Sequence, residues 1–551
     1  MIEQKAALKD LRPSEKADHK TVLEGLGLKR EMCTDGTRVK ILSDITKWAN
    51  NCSLDSPRVF WLTGQAGSGK TTIAYTIAKR FEEGYNAEKH TVLGGNFLCS
   101  RQFQDTQAQN RILPTIAYQL AHKCKSYADA LHVAGNFDAV NHHVSSQMKG
   151  LLVDPWQMSE PTRHPLVGPE VPPYLIVIDA LDEIEGDGGS AFLRDLLKAI
   201  RESDLRGLKF LVTSRLDPKV AELCENFASE AICRLHKVPI EDAMSDIETY
   251  LKAQLPKLAA SPKFSELGQR ASGLFIYAAT VVKYLTPFGS ITVKEQTDML
   301  NDFLSKPYEP ASSRDATLLV DELYRQIMYD AFSKHTVRIL ENRLCILYTF
   351  LCAAEPTSAS IVAALVDGDE DAAKAVLNDL HAVLYTQGDQ VFWYHKSFPD
   401  FIFSQARSNF RIDNKDFSFS CNKPAHESLL VEFCFRIMKS ENFGLRFNIG
   451  DIKSSFLFDR DNSALSEKVD QNISAVLRYA SRYWAHHLPS QLINTDKLCY
   501  CISEFLQIRV LFWIEAMNLL KLRNQCTPML QSARLWVLKV WIVHFELRCN
   551  A

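Results

Sequence analysis

The chain of 551 residues is 46% hydrophobic and 23% charged, the balance of an ordinary folded protein, and at roughly 100 to 200 residues per domain it is too long for one core. Its 63 Lys and Arg against 66 Asp and Glu leave a formal charge of -3, which removes any bulk electrostatic case for nucleic acid or an anionic membrane. Residues 1–32 read as a helical or linker segment. The first 20 are laced with Lys, Glu and Asp and lack the apolar stretch of a secretory signal, so a cytoplasmic location is expected. The longest apolar runs, at 274–282 and 510–514, are cut by Lys283, Arg509 and Glu515 well short of the roughly 18 to 20 residues a span requires, so no transmembrane helix is expected. Fourteen cysteines form no Cys-x-x-Cys pair. Cys345, Cys352 and Cys434 fall in apolar helical patterns, where a thiol packs as a small hydrophobe, and Cys499 with Cys501 lacks the partners of a zinc tetrahedron.

Between residues 33 and 238 short apolar runs alternate with amphipathic stretches, which predicts an α/β domain with a parallel sheet and helices on both faces. The runs at 59–63, 91–99, 174–179, 209–214 and 231–235 are apolar almost throughout, as strands buried on both faces must be. Ile73, Ile77 and Phe81, then Ile112, Ile116 and Leu120, recur at helical spacing. Pro155, Pro161, Pro165, Pro169, Pro172 and Pro173 remove many amide donors from 154–173, which predicts a surface loop. From 239 the chain reads helix upon helix, opening with Ile247, Leu251 and Leu255. We expect a helical domain at 239–310, a winged-helix-like domain at 311–408 and a further helical domain at 409–551. The wing rests on three helical stretches near 337–352, 358–366 and 370–385 followed by an apolar run at 390–394. No repeat of 20 to 50 residues is present.

The chemistry concentrates in three segments. Gly64, Gln65, Ala66, Gly67, Ser68, Gly69, Lys70 and Thr71 match the phosphate-loop pattern, between a predicted strand and a predicted helix that runs on through Thr72. Glycines let such a loop curl so that main-chain amides face phosphate oxygens, with the positive end of the helix behind them. Lys70 then reaches the β and γ phosphates, and the Thr71 hydroxyl serves Mg2+. The strand at 174–179 delivers Asp179 as a second Mg2+ group, expected beside the phosphate loop, with Asp182 and Glu183 just beyond. One of these two acids is placed to polarise a water for attack on the γ phosphate. The strand at 209–214 ends at Arg215, whose planar cation suits sensing of the γ phosphate or, equally in type, a surface ion pair. The cofactor expected is ATP or GTP, ATP favoured, with Mg2+.

These segments together resemble the NACHT family of STAND nucleotide-binding proteins, whose second motif takes the form found here as Asp179, Ala180, Leu181, Asp182 and Glu183. Cys33 to Arg38, Thr115 to Leu120, Gly273 to Thr280, Tyr394 to Phe401 and Tyr479 to His487 are similar to motifs of fungal NACHT proteins, of the type with a nephrocystin-3-like amino-terminal domain. The resemblance implies that His395, after the wing, touches the β phosphate of bound diphosphate, and its ordinary pKa suggests a pH-sensitive contact. It also implies a signalling switch that is closed with diphosphate and self-associates with triphosphate, in immunity or incompatibility-type signalling. Relatives with a Gly-x-Pro near the base have here Gly273, Leu274 and Phe275, so base contacts do not carry over. Fungal relatives often bear an effector domain and a repeat sensor, for which this chain has no room, so a truncated or minimal member is expected.

A nucleotide-binding scaffold without significant turnover is the alternative. A DNA-directed ATPase is disfavoured because the third helix of the wing opens with Asp369, Glu370 and Asp371, which would repel phosphate. A small-molecule kinase is disfavoured by the paired acids and the long helical arm.

Overall fold

The computed structural model describes residues 8–20, 30–53, 56–64, 66–83, 91–160, 173–215, 232–234, 240–287, 291–305, 316–412, 415–453, 465–493 and 495–549. They form two compact units. The first runs to Leu323 and takes in two short later segments, His381–Val383 and Phe392–Ser397; the second holds the rest of the chain from Tyr324.

The first unit is built on a five-stranded sheet of β1 (Val59–Thr63), β2 (Val92–Leu98), β3 (Tyr174–Asp179), β4 (Leu208–Ser214) and β5 (Ile232–Arg234), in the order β2-β3-β4-β1-β5. Every pairing is parallel. Alternation along the strands divides the apolar side chains between two cores. Val59 and Trp61 of β1, Tyr174, Ile176 and Ile178 of β3, and Phe210 and Val212 of β4 enter one core. Phe60, Leu62, Leu175, Val177 and Leu211 enter the other. Helix α1 (Val39–Asn50) and helix α2 (Lys70–Glu82) cover the second face, through Ile45, Trp48, Ile73, Ile77 and Phe81. Helix α3 (Ile112–Lys123) and helix α4 (Gly188–Glu202) cover the first, through Ile112, Ile116, Leu120, Phe192 and Leu196. The expected fold class therefore holds, and all five expected strands form within a residue or two of their expected limits.

Residues 8–20 pack against this domain. Leu8, Leu11 and Ala17 enter the first core, and the Ser14 and His19 amides donate to Thr115 Oγ1 at 2.9 Å and Asn96 Oδ1 at 2.8 Å. The proline-rich stretch departs from expectation. Its start is not a surface loop but the end of a helical run, in which Asp154–Met158 follows a wider π turn at Met148–Val153. The missing amide of Pro155 falls near that change of pitch, where the regular hydrogen-bond ladder is already shifted. Trp156 is fully buried and its indole N–H donates to the Arg206 carbonyl at 2.9 Å. The rest of the stretch, 161–172, lies outside the described residues.

Helix α5 (Ile240–Gln254) and helix α6 (Phe275–Tyr284) continue the first unit, with Ile247, Leu251 and Leu255 buried as their spacing requires. Further on, α7 (Val337–Cys352), α8 (Ala359–Val366) and α9 (Glu370–Asp379) precede a two-stranded sheet of β6 (Leu384–Gln387) and β7 (Gln390–Trp393). The helix expected to reach residue 385 stops at Asp379. Residues 384–387 pair as a strand instead, because Gly388 at φ +58° opens a two-residue turn.

The core of the second unit is aromatic. Trp484 packs with Phe435 at 5.3 Å, Phe505 at 5.2 Å and Trp513 at 6.1 Å between ring centres. The Tyr479 hydroxyl accepts from the Ala354 amide at 3.1 Å and pairs with His487 Nε2 at 2.9 Å. The Tyr479 to His487 motif is thus a buried polar link and an apolar anchor. Among the described residues no helix is long and apolar enough to cross a membrane.

Candidate functional site

A parallel sheet gathers the carboxyl ends of its strands at one edge, and there the first unit holds a cavity of about 260 Å³. One wall is the turn between β1 and α2. Gly67 and Gly69 take φ of +77° and +89°, values a side chain resists, and Gly69 is the residue on which α2 starts. Gly67 meets a second constraint, since a Cβ there would lie 2.1 Å from Ile276 Cγ2, and its carbonyl accepts from the Ile276 amide at 3.1 Å. Ala66, Gly67, Gly69, Lys70, Thr71 and Thr72 line the cavity. Lys70 Nζ donates to the Gly64 carbonyl at 2.7 Å, and burial lowers its pKa to about 8, partly offset by Asp182. The Ser68 carbonyl accepts from Arg38 Nη2 at 3.0 Å. Gln65 lies outside the described residues.

Asp179 ends β3, but it is not on the neighbouring strand to β1, because β4 lies between them. The intervening strand holds Asp179 through a side chain of its own. Thr213 on β4 donates to Asp179 Oδ1 at 2.6 Å while accepting from the Ala180 amide at 2.9 Å. Burial raises the Asp179 pKa, and hydrogen bonding from Thr213 and Thr71 works against that shift. Oδ2 is buried with no hydrogen bond of good geometry. A buried carboxylate oxygen left unsatisfied beside a threonine hydroxyl is a donor set that suits Mg2+.

Ala180 then turns the chain at φ +54°, a left-handed conformation that disfavours large or branched side chains and accounts for a small residue at this point of the motif. The tight turn Leu181–Glu183 presents both following acids to the cavity. Asp182 Oδ1 accepts from the Arg215 amide at 2.9 Å and Oδ2 lies 3.4 Å from Arg215 Nε. Glu183 Oε2 accepts from the Arg101 amide at 3.2 Å.

The facing wall comes from the segment after β7. Lys396 Nζ lies 2.5 Å from Asp182 Oδ2 and 3.0 Å from Glu183 Oε1. Burial by itself raises the Asp182 pKa, but Lys396 and Arg215 outweigh it and leave the carboxyl at about 2. His395 lines the same cavity, and its Nδ1 accepts from the Ser397 amide at 3.2 Å, so the neutral ring carries its proton on Nε2. The expected pH-sensitive histidine is not found. Burial first, then the cations Lys396, Arg215 and Lys70, hold the His395 pKa at about 3, far from the neutral range.

The structure therefore gathers Lys70, Thr71, Asp182, Glu183, Arg215 and His395 around one cavity, with Asp179 reaching Thr71. Sequence reasoning missed Lys396, although it directly follows His395 in a motif already singled out. It also missed Arg38, whose guanidinium lies 4.5 Å from the centre of the Phe275 ring, while Tyr250 meets the same ring edge-on at 6.0 Å. Phe275 thus joins the cavity wall.

Among curated proteins none matches the chain. Of the solved structures that are similar in part, three follow. The Signal Transduction ATPase with Numerous Domains (STAND) protein with a tetratricopeptide repeat sensor from Pyrococcus horikoshii is 16% identical with a TM-score of 0.35; the match covers 93% of this chain and 66% of that one, just under two thirds of its length. The Walker-type ATPase of Pyrococcus abyssi is 10% identical with a TM-score of 0.31, over 68% of this chain and 98% of that one. The Aeropyrum pernix ORC2 protein, in its ADPNP-ADP complexes, is 13% identical with a TM-score of 0.30, over 68% of this chain and 94% of that one. About a third of the chain, residues 36–215, which holds the phosphate loop, the paired acids and Arg215, matches the family model described as Nephrocystin 3, N-terminal.

Proposed function

We propose that the protein is a STAND-type NTPase that works as a nucleotide-operated signalling switch, closed with diphosphate and self-associating with triphosphate, of the kind used in fungal immunity or incompatibility responses. The single observation that supports it best is the shared cavity. The phosphate loop forms one wall, and His395 with Lys396, from some 325 residues further along the chain, forms the other. Main-chain amides of residues 66–71 and Lys70 hold the phosphates, Thr71 and Asp179 hold Mg2+, and the His395 Nε2–H donates to a phosphate oxygen. When bound, Mg2+ neutralises the charge that builds up on the β and γ oxygens. Glu183 or Asp182 orients and deprotonates the attacking water, and Arg215 meets the γ phosphate. To carry a 1:99 equilibrium to 99:1, the two nucleotides must differ in their preference for the two states by about 5.5 kcal/mol.

A slow or absent turnover, as in a pure nucleotide-binding scaffold, has one observation in its favour: both candidate bases are already ion-paired. The test is calorimetry with ADP, ATP and GTP in Mg2+ on wild type and Lys70→Ala, followed by sizing of the complexes and phosphate release. Binding that Lys70→Ala weakens at least 100-fold, with larger particles only in triphosphate, supports the switch. No heat with any nucleotide sinks it, and binding without phosphate release or change of size leaves the scaffold.

A further inference from the structure

We propose that Lys396 is a positioning residue that brakes hydrolysis by holding Asp182 and Glu183 in one ion-paired cluster. This rests on the nucleotide reading above and adds its regulation. In hydrolysis the water oxygen bonds to the γ phosphorus as the bond from phosphorus to the β-γ bridging oxygen breaks. The bridging oxygen leaves with the electron pair as diphosphate, and the water proton passes to a carboxylate. A carboxylate serves as that base only if a lone pair faces the water.

Here both acids face a cation instead. The Lys396 ammonium is 2.5 Å from Asp182 and 3.0 Å from Glu183, with the three side chains only 11%, 12% and 15% exposed, so solvent screens the pairs little. Arg215 Nε, 3.4 Å from Asp182, and the Arg101 amide, 3.2 Å from Glu183, complete the clamp. A carboxylate whose lone pairs are taken up by an ammonium does not offer them to a water. The brake has its own release. Lysine is a compact cation on a flexible stem, so the pairs hold only while the segment that carries it stays in place. Because Lys396 belongs to the same short segment as His395, whatever displaces that segment removes the histidine contact and the brake together.

The test uses the full chain. Lys396→Met, Lys396→Arg and the double variant Lys396→Met with Glu183→Gln are compared with wild type for phosphate release, with nucleotide affinity measured on the same samples. The expected result is a rise in kcat on the order of tenfold in Lys396→Met with KM little changed, as expected for freeing a general base. Lys396→Arg returns towards the wild-type rate, and the double variant loses the gain. Removing the lysine leaves two part-buried acids together, so if Lys396→Met fails to fold, Lys396→Gln, which still donates a hydrogen bond, takes its place with the same expected direction. A kcat that is unchanged or lower, with binding intact, overturns the brake. Absence of binding in wild type would instead overturn the nucleotide reading itself.

Discussion

The two walls of the cavity are made in opposite ways. On the phosphate-loop side the working groups are main-chain atoms, set by glycines at φ +77° and +89° and by the start of a helix, so the wall follows from a dozen consecutive residues. On the facing side they are the side chains of His395 and Lys396, brought in by the path of the chain, and their properties come from what surrounds them. A local wall should fail through its backbone, a distant wall through its charges.

The largest effect is expected where backbone and packing coincide. Gly67→Ala puts a Cβ 2.1 Å from Ile276 Cγ2 at a left-handed position, which should lower stability by about 2 to 4 kcal/mol and abolish nucleotide binding. Gly69→Ala is the sharper comparison, since nothing lies within 4 Å of its Cβ; it should show only the conformational cost of about 1 to 2 kcal/mol in denaturant unfolding. Equal losses in the two variants would mean that contact with Ile276 does not distinguish them.

On the opposite wall the expected effect is a pH dependence. The His395 pKa falls from 6.5 to about 3 on folding, so the unfolded chain binds the proton more readily. His395 therefore contributes stability that is full above pH 6.5 and is lost as pH falls towards about 3. The melting temperature of His395→Gln should drop less over that range than that of wild type. Parallel curves would remove the charged surroundings from the account. His426 and His487 in the second unit, also depressed by burial, act in the same direction in both proteins and cancel in the comparison.

The smallest effect tests the turn between the walls. Ala180→Gly relieves a left-handed alanine but adds unfolded-state entropy, so it should stabilise by at most about 1 kcal/mol, whereas Ala180→Val should destabilise. If valine is tolerated, the small residue at this position is not there for its backbone conformation.

How much of this was legible depended on range. The strands at 59–63 and 174–179 were readable to the residue, because burial on both faces demands apolar side chains throughout. Asp179 was readable as a strand-end acid, but its partner Thr213, on the strand that lies between β3 and β1, depends on sheet order, which no local pattern encodes. Pro155 misled because its effect depends on the turn before it. The motif at 479–487 proved to be a buried link in the second unit.

The sequence by itself determined the phosphate loop, the acidic turn and the class of fold, since hydrogen-bonding capacity, conformational freedom and apolar periodicity are properties of neighbours along the chain. Only the tertiary structure decided that Lys396 faces Asp182 and Glu183, that Phe275 and Arg38 build the cavity wall, and that His395 stays neutral. Charge interaction and desolvation depend on distance in space, and residues hundreds of positions apart acquire that distance only when the chain is folded.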